Sequence, residues 1–360
     1  MIYLLTFFVF LIAAVFVILL IHSSGKPKQF LDVNGNKLAN SIAEKIFLDI
    51  NGTKQGMFIK SKNINNPVIL YLHGGMPDYF LTEKYPTQLE DNFTIVWWEQ
   101  RNCGISHNSH SAYVKTTIEQ LVDDTIFLTK YLLQRFKKEK IYLMGHSGGT
   151  FLGVYVIDKA PGLYAAYIGI AQMSDQLQSE KLAYDYMLKK YREMNDQMMI
   201  RKLKSINFND KQNIPEQYLK IRDNAMHGLG IGTMRNMRNV ITDLFLPSLL
   251  FSEYTLEEKY HLWASKSKSG ISQNWTEMSR TSLIKTKNNF QLPIYFLHGV
   301  YDYTCSYELA KSYFEKINAP VKGFYTFKQS AHSPLFEEPE KMNRILINDV
   351  KNLRTVLADN

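Results

Sequence analysis

Short apolar runs and amphipathic stretches alternate along most of the chain. The apolar runs, each about the length of a buried strand, lie at 44–50, 56–60, 68–72, 93–98, 141–144 and 166–171. The first two are separated by Asn51-Gly52, a pair that favours the tight turn of an antiparallel hairpin. Apolar residues at helical spacing predict a long helix over 117–136. This alternation predicts an α/β fold, with a mostly parallel sheet and helices on both of its faces.

The pattern changes between residues 175 and 287. This segment is helical in character, charged and rich in methionine, and it interrupts the succession of strands. Strand patterns return at 293–297 and 324–327, and helices are predicted over 307–317 and 339–357. We therefore expect a helical cap inserted between strands six and seven. The predicted divisions are an anchor at 1–22, a linker at 23–40, the two halves of the core at 41–174 and 288–360, and the cap at 175–287.

The N-terminal segment is a continuous apolar run. Every residue from Ile2 to Ile21 is apolar except Thr6, and about 20 apolar residues are enough to span a bilayer as a helix. No basic region precedes the run and the site after it is poor for cleavage, which favours a retained single-pass transmembrane anchor over a cleaved signal peptide. Lys26 and Lys28 follow the run. The positive-inside rule would place the core on the cytoplasmic side, but so few charges leave the side open.

A glycine-flanked serine lies between a predicted strand and a predicted helix. The pentapeptide at 145–149 reads Gly-His-Ser-Gly-Gly, and Ser147 is its central residue. Strand, G-x-S-x-G and helix in this order are typical of the nucleophile elbow of a serine hydrolase with the α/β-hydrolase fold. The turn is so sharp that side chains at the flanking glycines would collide with the neighbouring backbone. Ser147 is therefore the predicted nucleophile.

A second glycine-rich turn follows the strand at 68–72. The chain there reads His73-Gly74-Gly75, and in this fold the loop after the third strand supplies one backbone N–H of the oxyanion hole. The residue after the nucleophile supplies the other. Gly75 and Gly148 are therefore the predicted donors to the negative charge that develops on the substrate oxygen.

An acid and a histidine follow the last two predicted strands. Asp302 comes after the strand at 293–297, and His332 comes after the strand at 324–327. The order serine, acid, histidine is the order of α/β-hydrolases, and open α/β sheets place their sites at the carboxyl ends of strands. We expect His332 to be the general base and Asp302 to orient it. Asp175, after the sixth strand, is the alternative acid.

The segment at 97–106, Trp-Trp-Glu-Gln-Arg-Asn-Cys-Gly-Ile-Ser, resembles the W-D-Q-R-G-x-G-x-S signature of the proline iminopeptidase family. The His-Gly-Gly turn, the elbow and Tyr-Asp-x-x-Cys at 301–305 are also similar to that family. The resemblance implies an α/β-hydrolase that removes N-terminal residues from short peptides, with the same triad and oxyanion donors. The chain departs from the family at Met76, Asn102 and Gly148. We interpret the Glu-Gln-Arg at 99–101 as support for the loop, with the arginine paired to a carboxylate.

Composition and motif content exclude several classes of function. The chain has 360 residues, 45% of them hydrophobic, with a formal net charge of +8, which suffices for one large core with an insertion. It has no nucleic-acid-binding motif, and its two cysteines, Cys103 and Cys305, make no disulfide framework. It also lacks metal-ligand spacings, so we expect no metal and no organic cofactor. The predicted function is hydrolysis of short peptides. The alternatives are hydrolysis of apolar esters and an inactive hydrolase fold that serves as a binding protein. The oligomeric state stays open.

Overall fold

The computed structural model describes residues 2–108, 115–208, 212–266 and 270–359. Its centre is one eight-stranded sheet with the order β1-β2-β4-β3-β5-β6-β7-β8. The strands are β1 (Ile42–Ile50), β2 (Thr53–Ser61), β3 (Val68–Leu72), β4 (Thr94–Trp98), β5 (Ile141–His146), β6 (Tyr164–Ile170), β7 (Ile294–Gly299) and β8 (Lys322–Phe327). The predicted mostly parallel α/β sheet is confirmed, and the strand bounds differ from the sequence pattern by a few residues.

The first two strands are the antiparallel part of the sheet. β1 pairs with β2, and β2 pairs with β4, in antiparallel fashion, whereas all pairs from β4 to β8 are parallel. The predicted turn lies between β1 and β2, where Asn51 and Gly52 have φ values of 49° and 75°. Two successive positive φ values are what a two-residue hairpin turn requires, and asparagine and glycine adopt them at least cost.

Helices precede the sheet, alternate with its strands and follow its last strand along the chain. In chain order they are α1 (Ile2–Ile21), α2 (Leu81–Lys84), α3 (Ile118–Phe136), α4 (Gly148–Lys159), α5 (Gln176–Glu193), α6 (Gln197–Lys204), α7 (Glu216–Gly228), α8 (Leu246–Leu250), α9 (Leu256–Ala264), α10 (Gly270–Gln273), α11 (Trp275–Arg280), α12 (Leu283–Thr286), α13 (Tyr307–Lys316), α14 (Pro334–Glu337) and α15 (Pro339–Ile345). Short 3₁₀ turns lie at Leu89–Asp91, Gly104–Ser106 and Pro161–Leu163, and π turns at Ile241–Phe245 and Leu346–Val350.

Alternate residues of β3 belong to different apolar clusters. Leu70 packs in a cluster with Leu121 of α3 and Phe151 of α4, whereas its neighbour Ile69 packs in a cluster with Met342 of α15. Because successive side chains of a strand point to opposite faces, these clusters lie on the two sides of the sheet. The sheet is therefore buried on both faces, which is why its strands are nearly continuous apolar runs.

The chain between β6 and β7 runs through helices α5 to α12. A third apolar cluster holds this segment together, and it includes Met187 of α5, Leu203 of α6, and Tyr218 and Met226 of α7. Methionine is unbranched and flexible, so it fills the irregular spaces between short helices. Packing between these helices thus explains Met187, Met199 and Met226, whereas Met194 and Met198 are exposed.

Two predictions at the chain ends are corrected by the structure. The predicted helix over 339–357 is too long, because α15 ends at Ile345, the next turn is π, and Leu353 has a left-handed φ of 51°. The apolar N-terminal run forms α1, but within the described residues no helix is long and apolar enough to cross a membrane. This finding overturns the predicted transmembrane anchor at 1–22 and the membrane localisation.

Candidate active site

Ser147 lies at the point where β5 ends and α4 begins. β5 ends at His146, α4 starts at Gly148, and the serine between them has φ 55° and ψ −126°. Residues other than glycine rarely adopt such a conformation, and it costs about 1–3 kcal/mol. Its N–H donates to the carbonyl of Ile170 in the neighbouring strand, and its carbonyl accepts from Thr150. The fold therefore holds this serine in a strained turn at the carboxyl end of the sheet.

The glycines of the pentapeptide allow three backbone segments to meet there. A Cβ on Gly145 would lie 2.7 Å from the carbonyl oxygen of Gly149. A Cβ on Gly149 would lie 2.1 Å from the carbonyl oxygen of Leu72, at the end of β3. Neither contact is sterically possible, so both positions require glycine in order to bring β3 and the start of α4 together.

The turn after β3 is next to the serine. Gly74 is close enough that a Cβ on it would lie 2.8 Å from the Cβ of Ser147, and Gly75 lines the same cavity as Ser147. Gly148 is the first residue of α4, where N–H groups have no acceptor within the helix. The structure thus places the backbone of both predicted oxyanion donors near Ser147.

His73 fixes the conformation of that turn. Its Nε2 accepts a hydrogen bond of 3.1 Å from the N–H of Gln100, and its Nδ1 lies 2.9 Å from the carbonyl oxygen of Gly74. The Gln100 side chain donates in return to the His73 carbonyl, over 2.9 Å. Burial lowers the pKa of His73 to about 4. The ring is therefore neutral at physiological pH and acts as a structural link between β3 and β4.

The Glu-Gln-Arg segment supports the loop after β4, as the sequence predicted. Arg101 donates two hydrogen bonds to the carboxylate of Asp124, from Nε over 2.8 Å and from a terminal nitrogen over 2.9 Å. Glu99 accepts from the N–H of Ile105 and from the hydroxyl of Tyr254. Burial raises the pKa of Glu99 to about 8. These contacts lie within the loop and its surroundings and brace its shape.

Asp302 and His332 are in direct contact. Nδ1 of His332 lies 2.9 Å from Oδ2 of Asp302, and the two residues follow the adjacent strands β7 and β8. Oδ1 of Asp302 accepts from the N–H groups of Thr304 and Cys305, over 2.8 and 2.9 Å. Burial by itself would raise the Asp302 pKa, but His332 and His298 lower it well below its ordinary value. Asp302 is therefore a fixed anion that holds the His332 ring through Nδ1.

His332 also lines the cavity that contains Ser147. The cavity has a volume of about 160 Å³, and Ser147, His332 and Gly75 all line it. Its remaining lining is mostly apolar and consists of Gly74, Met76, Pro77, Asp78, Phe80, Leu81, His146, Thr233, Leu244, Lys266, Ser333 and Phe336. Burial lowers the pKa of His332 below its ordinary value, and the attraction of Asp302 offsets only part of that effect.

The alternative acid has a different structural role. The Asp175 side chain caps the start of α5 by accepting from the N–H of Gln178 over 3.1 Å. An aspartate at this position stabilises a helix by satisfying one of its free N–H groups. Asp302, and not Asp175, contacts His332.

Sequence reasoning missed two groups that hold the His332 loop. Glu337 accepts from the N–H groups of Ala331 and Ser333, on either side of His332, and burial raises its pKa to about 7. Asp78 contacts the ring of His146. A capping glutamate just beyond a Ser-Pro helix start was a usable signal for Glu337, whereas no local pattern indicated the Asp78 contact.

No cofactor-binding motif accompanies this arrangement. Among the residues that the structure describes, no cluster of three or more His, Cys, Asp or Glu side chains could hold a metal ion. Cys103 and Cys305 are both buried.

The family model for the alpha/beta hydrolase fold matches residues 67–339, which run from the start of β3 into α15. The chain belongs to this family. The match includes the elbow, the turn after β3, and the loops that carry Asp302 and His332. The fold class predicted from the order of motifs is therefore confirmed.

Named relatives agree with the resemblance to proline iminopeptidases. The probable aminopeptidase YbaC of Bacillus subtilis (strain 168) is 30% identical over 296 residues, covering 79% of this chain and 89% of that protein. A proline iminopeptidase-related protein of Thermus thermophilus is 15% identical, with a TM-score of 0.57 over 85% of this chain and 98% of its own. The proline iminopeptidase of Mycobacterium smegmatis is 13% identical, with a TM-score of 0.57 over 84% and 96%. The structural similarities establish the α/β-hydrolase fold.

Proposed function

We propose that this α/β-hydrolase uses Ser147 as nucleophile, His332 as general base and Asp302 as the group that orients the base. The observation that carries the proposal is the arrangement around one cavity. Ser147, with its strained backbone, and His332 both line this cavity, and Nδ1 of His332 is bonded to Asp302. A serine hydroxyl is a weak nucleophile until an adjacent base accepts its proton, and the presence of His332 in the same cavity supports its assignment as that base.

The proposed reaction has two steps, formation of an acyl-enzyme and its hydrolysis. The Ser147 Oγ–H bond breaks as Oγ bonds to the substrate carbonyl carbon, and the proton passes to His332. The negative charge moves to the carbonyl oxygen, where the N–H groups of Gly75 and Gly148 stabilise it. Collapse of this intermediate expels the leaving group with the proton from His332 and leaves an acyl-enzyme. Water, activated by the same histidine, then releases the acid and restores Ser147.

An aminopeptidase acting on short peptides is our first substrate assignment. Its main support is the Bacillus subtilis relative, which is named as a probable aminopeptidase and matches most of both chains. The small cavity beside Ser147 agrees with a short substrate, because a volume of about 160 Å³ accommodates few side chains. The resemblance of the segment at 97–106 to the proline iminopeptidase signature points in the same direction.

A carboxylesterase of apolar acyl groups is the second assignment, and the lining of the cavity favours it. Within the described residues that line this cavity, Asp78 is the single acidic side chain. One oxygen of Asp78 is already bonded to Tyr71 and His146. An aminopeptidase needs an anion for the substrate ammonium group, whereas an ester with an apolar acyl chain needs only an apolar wall.

The test uses the full-length chain beside its Ser147→Ala variant. Both are assayed on prolyl, alanyl and leucyl arylamides, on the same arylamides after N-acetylation, and on short p-nitrophenyl esters. Cleavage of free-amine arylamides that needs Ser147 and disappears on N-acetylation supports the aminopeptidase. Cleavage of esters alone supports the esterase and rejects the aminopeptidase. A fluorophosphonate probe that fails to label the wild-type chain, with no turnover of any substrate, rejects the proposed chemistry and favours an inactive binding protein.

A further inference from the structure

His146 contacts two acceptors on opposite sides of its ring. Its Nδ1 lies 3.1 Å from Oδ2 of Asp78, and its Nε2 lies 2.9 Å from the carbonyl oxygen of His332. His146 as a whole residue is 6% exposed. Although it is the residue next to Ser147 in sequence, its ring therefore connects the loop after β3 to the loop after β8.

The hydrogen-bond donors and acceptors in these contacts indicate the charge of the His146 ring. A carbonyl oxygen can only accept a hydrogen bond, and the Asp78 carboxylate already accepts one of 2.6 Å from the hydroxyl of Tyr71. A neutral imidazole has a single N–H and could satisfy only one of its two acceptors. With Asp78 as a carboxylate, both bonds form only when His146 is an imidazolium. Burial alone would lower the pKa of His146, but the bond to Asp78 raises it above its ordinary value.

This cation lies next to the proposed base. The ring centres of His146 and His332 are 5.1 Å apart, with an angle of 38° between their planes. A positive charge at this distance opposes protonation of the second ring, whereas Asp302 on its far side favours it. The same cation also holds the main chain of His332 through the carbonyl bond.

We propose that His146 and Asp78 form a positioning pair that anchors the His332 loop to the elbow and places a fixed positive charge beside the base. This role rests on the proposed function, in which His332 accepts the proton of Ser147. The charge keeps the base free of a proton before the reaction. It also makes the protonated base a better acid when the leaving group departs. Asp78 keeps His146 charged, so the pair acts as a unit.

Several other ionisable groups lie near the pair and the base. His146 is faced by Asp78, His73, His332 and Asp302, and of these His73 is neutral at physiological pH. His332 is faced by Asp302, His146 and His298. Tyr71 stays protonated, since burial and the neighbouring Asp78 raise its pKa well above the ordinary value. The charges nearest the ring of the base are thus one anion at Asp302 and one cation at His146, with the anion at Asp78 beyond it. Glu337 accepts from the main chain on either side of His332, burial raises its pKa to about 7, and Lys266 lines the same cavity as His332.

The experiment compares full-length wild type with His146→Gln, Asp78→Asn and the double variant. Glutamine presents an amide N–H near the position of Nε2, so it can keep the bond to the His332 carbonyl while losing the charge. Two quantities are measured for each protein. One is the midpoint of the acid limb of kcat/KM, and the other is the midpoint of the His332 titration by NMR of histidine-labelled protein, assigned against His332→Gln.

His146→Gln leaves the Asp78 anion near the base without its cation. We expect both midpoints to rise by about one pH unit or more, since unit charges this close interact strongly in a buried site. Asp78→Asn removes the anion and lets His146 lose its proton, and the double variant removes both charges. In those two variants we expect the midpoints to return towards the wild-type value. Wild-type His146 should show two N–H groups at pH 7.

Unchanged midpoints in His146→Gln would overturn the inference, whatever happens to kcat or thermal stability, because a packing role would affect only those. A single N–H on wild-type His146 at pH 7 would overturn it too. Should His146→Gln fail to fold, His146→Asn retains the donor towards Asp78 and is titrated in the same way. The NMR midpoint needs no turnover, so an inactive wild type with the expected shift would reject the proposed function and retain the positioning pair.

Discussion

His298 contacts the same oxygen of Asp302 that His332 contacts. Its Nε2 lies 3.1 Å from Oδ2 of Asp302 and 2.8 Å from the carbonyl oxygen of Cys305. Both of these neighbours accept hydrogen bonds, so this nitrogen carries the proton. Within the described residues the other ring nitrogen of His298 has no hydrogen-bond partner. His298 therefore provides a second side-chain donor, besides His332, to the Asp302 carboxylate.

Replacing His298 with leucine should destabilise the protein. The change removes one donor to a fully buried carboxylate that keeps its bond to His332, and a hydrogen bond to a charged group contributes about 1.5–3 kcal/mol. His298→Gln is the matched control, because its amide N–H reaches a similar position. Urea unfolding would measure the free energy of unfolding of the three proteins. Equal values for the leucine and glutamine variants would mean that the bond to Asp302 contributes nothing.

Asp302→Asn should greatly reduce turnover, whereas Asp175→Asn should not. Asparagine at 302 can present its amide to Nδ1 of His332 and so favour the wrong tautomer, a change that costs about 10⁴-fold in a comparable triad. Asparagine at 175 still caps α5, since its side-chain oxygen accepts the same N–H bond. The measurement is kcat/KM on the best substrate found. Retained activity in Asp302→Asn together with loss in Asp175→Asn would transfer the role of the acid to Asp175.

The pH dependence of the wild-type enzyme follows from His332. Only the neutral ring can accept the Ser147 proton, so activity is present above the His332 pKa and is lost as the pH falls through it. Burial holds this pKa below its ordinary value. We therefore expect the acid limb of kcat/KM to have its midpoint below about pH 6.5, the ordinary value for histidine. A midpoint above that value would show that the environment of His332 favours its charged form.

Ser147→Gly should be more stable than Ser147→Ala, although neither can react. Both lack the hydroxyl, but alanine must keep the left-handed conformation of the elbow, with φ 55°, and glycine adopts it freely. The gain is reduced by the greater flexibility of glycine in the unfolded chain. We expect a difference of about 1 kcal/mol in the free energy of unfolding. If the alanine variant were equally stable or more stable, the turn would hold no strain at this residue.

The sequence predicted the parts of the site that depend on local order. Each strand of the parallel sheet is a short apolar run bounded by turn residues, and Ser147, Asp302 and His332 each follow such a run. Since β7 and β8 are neighbours, the loops that leave their carboxyl ends meet, and Asp302 reaches His332. Strand order and the rule for the carboxyl edge therefore favoured this pair and left Asp175 as the alternative, and the structure shows that Asp302 contacts His332.

Contacts between distant loops could not be predicted in the same way. The bond between His146 and Asp78 depends on the path of the turn after β3, and the polar environment of each residue gives no periodic signal. The end of the helix predicted over 339–357 was wrong for a related reason. Apolar spacing continues through 346–357, yet the π turn at Leu346–Val350 and the left-handed Leu353 end the helix. The helix ends where the local backbone geometry changes, and the spacing of hydrophobic residues does not predict that change.

Gly149→Ala should prevent the elbow from forming, whereas Gly162→Ala should be tolerated. A Cβ at position 149 would lie 2.1 Å from the carbonyl oxygen of Leu72, and neither backbone segment can yield, because β3 is held between β4 and β5. A Cβ at position 162 has no heavy atom within 4 Å. Both changes reduce the flexibility of the unfolded chain to the same extent, so any difference between them reports the collision.

We expect Gly149→Ala to lower the free energy of unfolding by more than about 3 kcal/mol, the range of severe overpacking, and to abolish labelling of Ser147 by a fluorophosphonate. Gly162→Ala should keep its free energy of unfolding within about 0.5 kcal/mol of wild type and should label normally. Thermal unfolding and probe labelling of the two variants test this pair of outcomes. A Gly149→Ala variant that folded and labelled normally would show that β3 and α4 can separate without disturbing the serine. In that case the close approach of these elements could not be what positions Ser147.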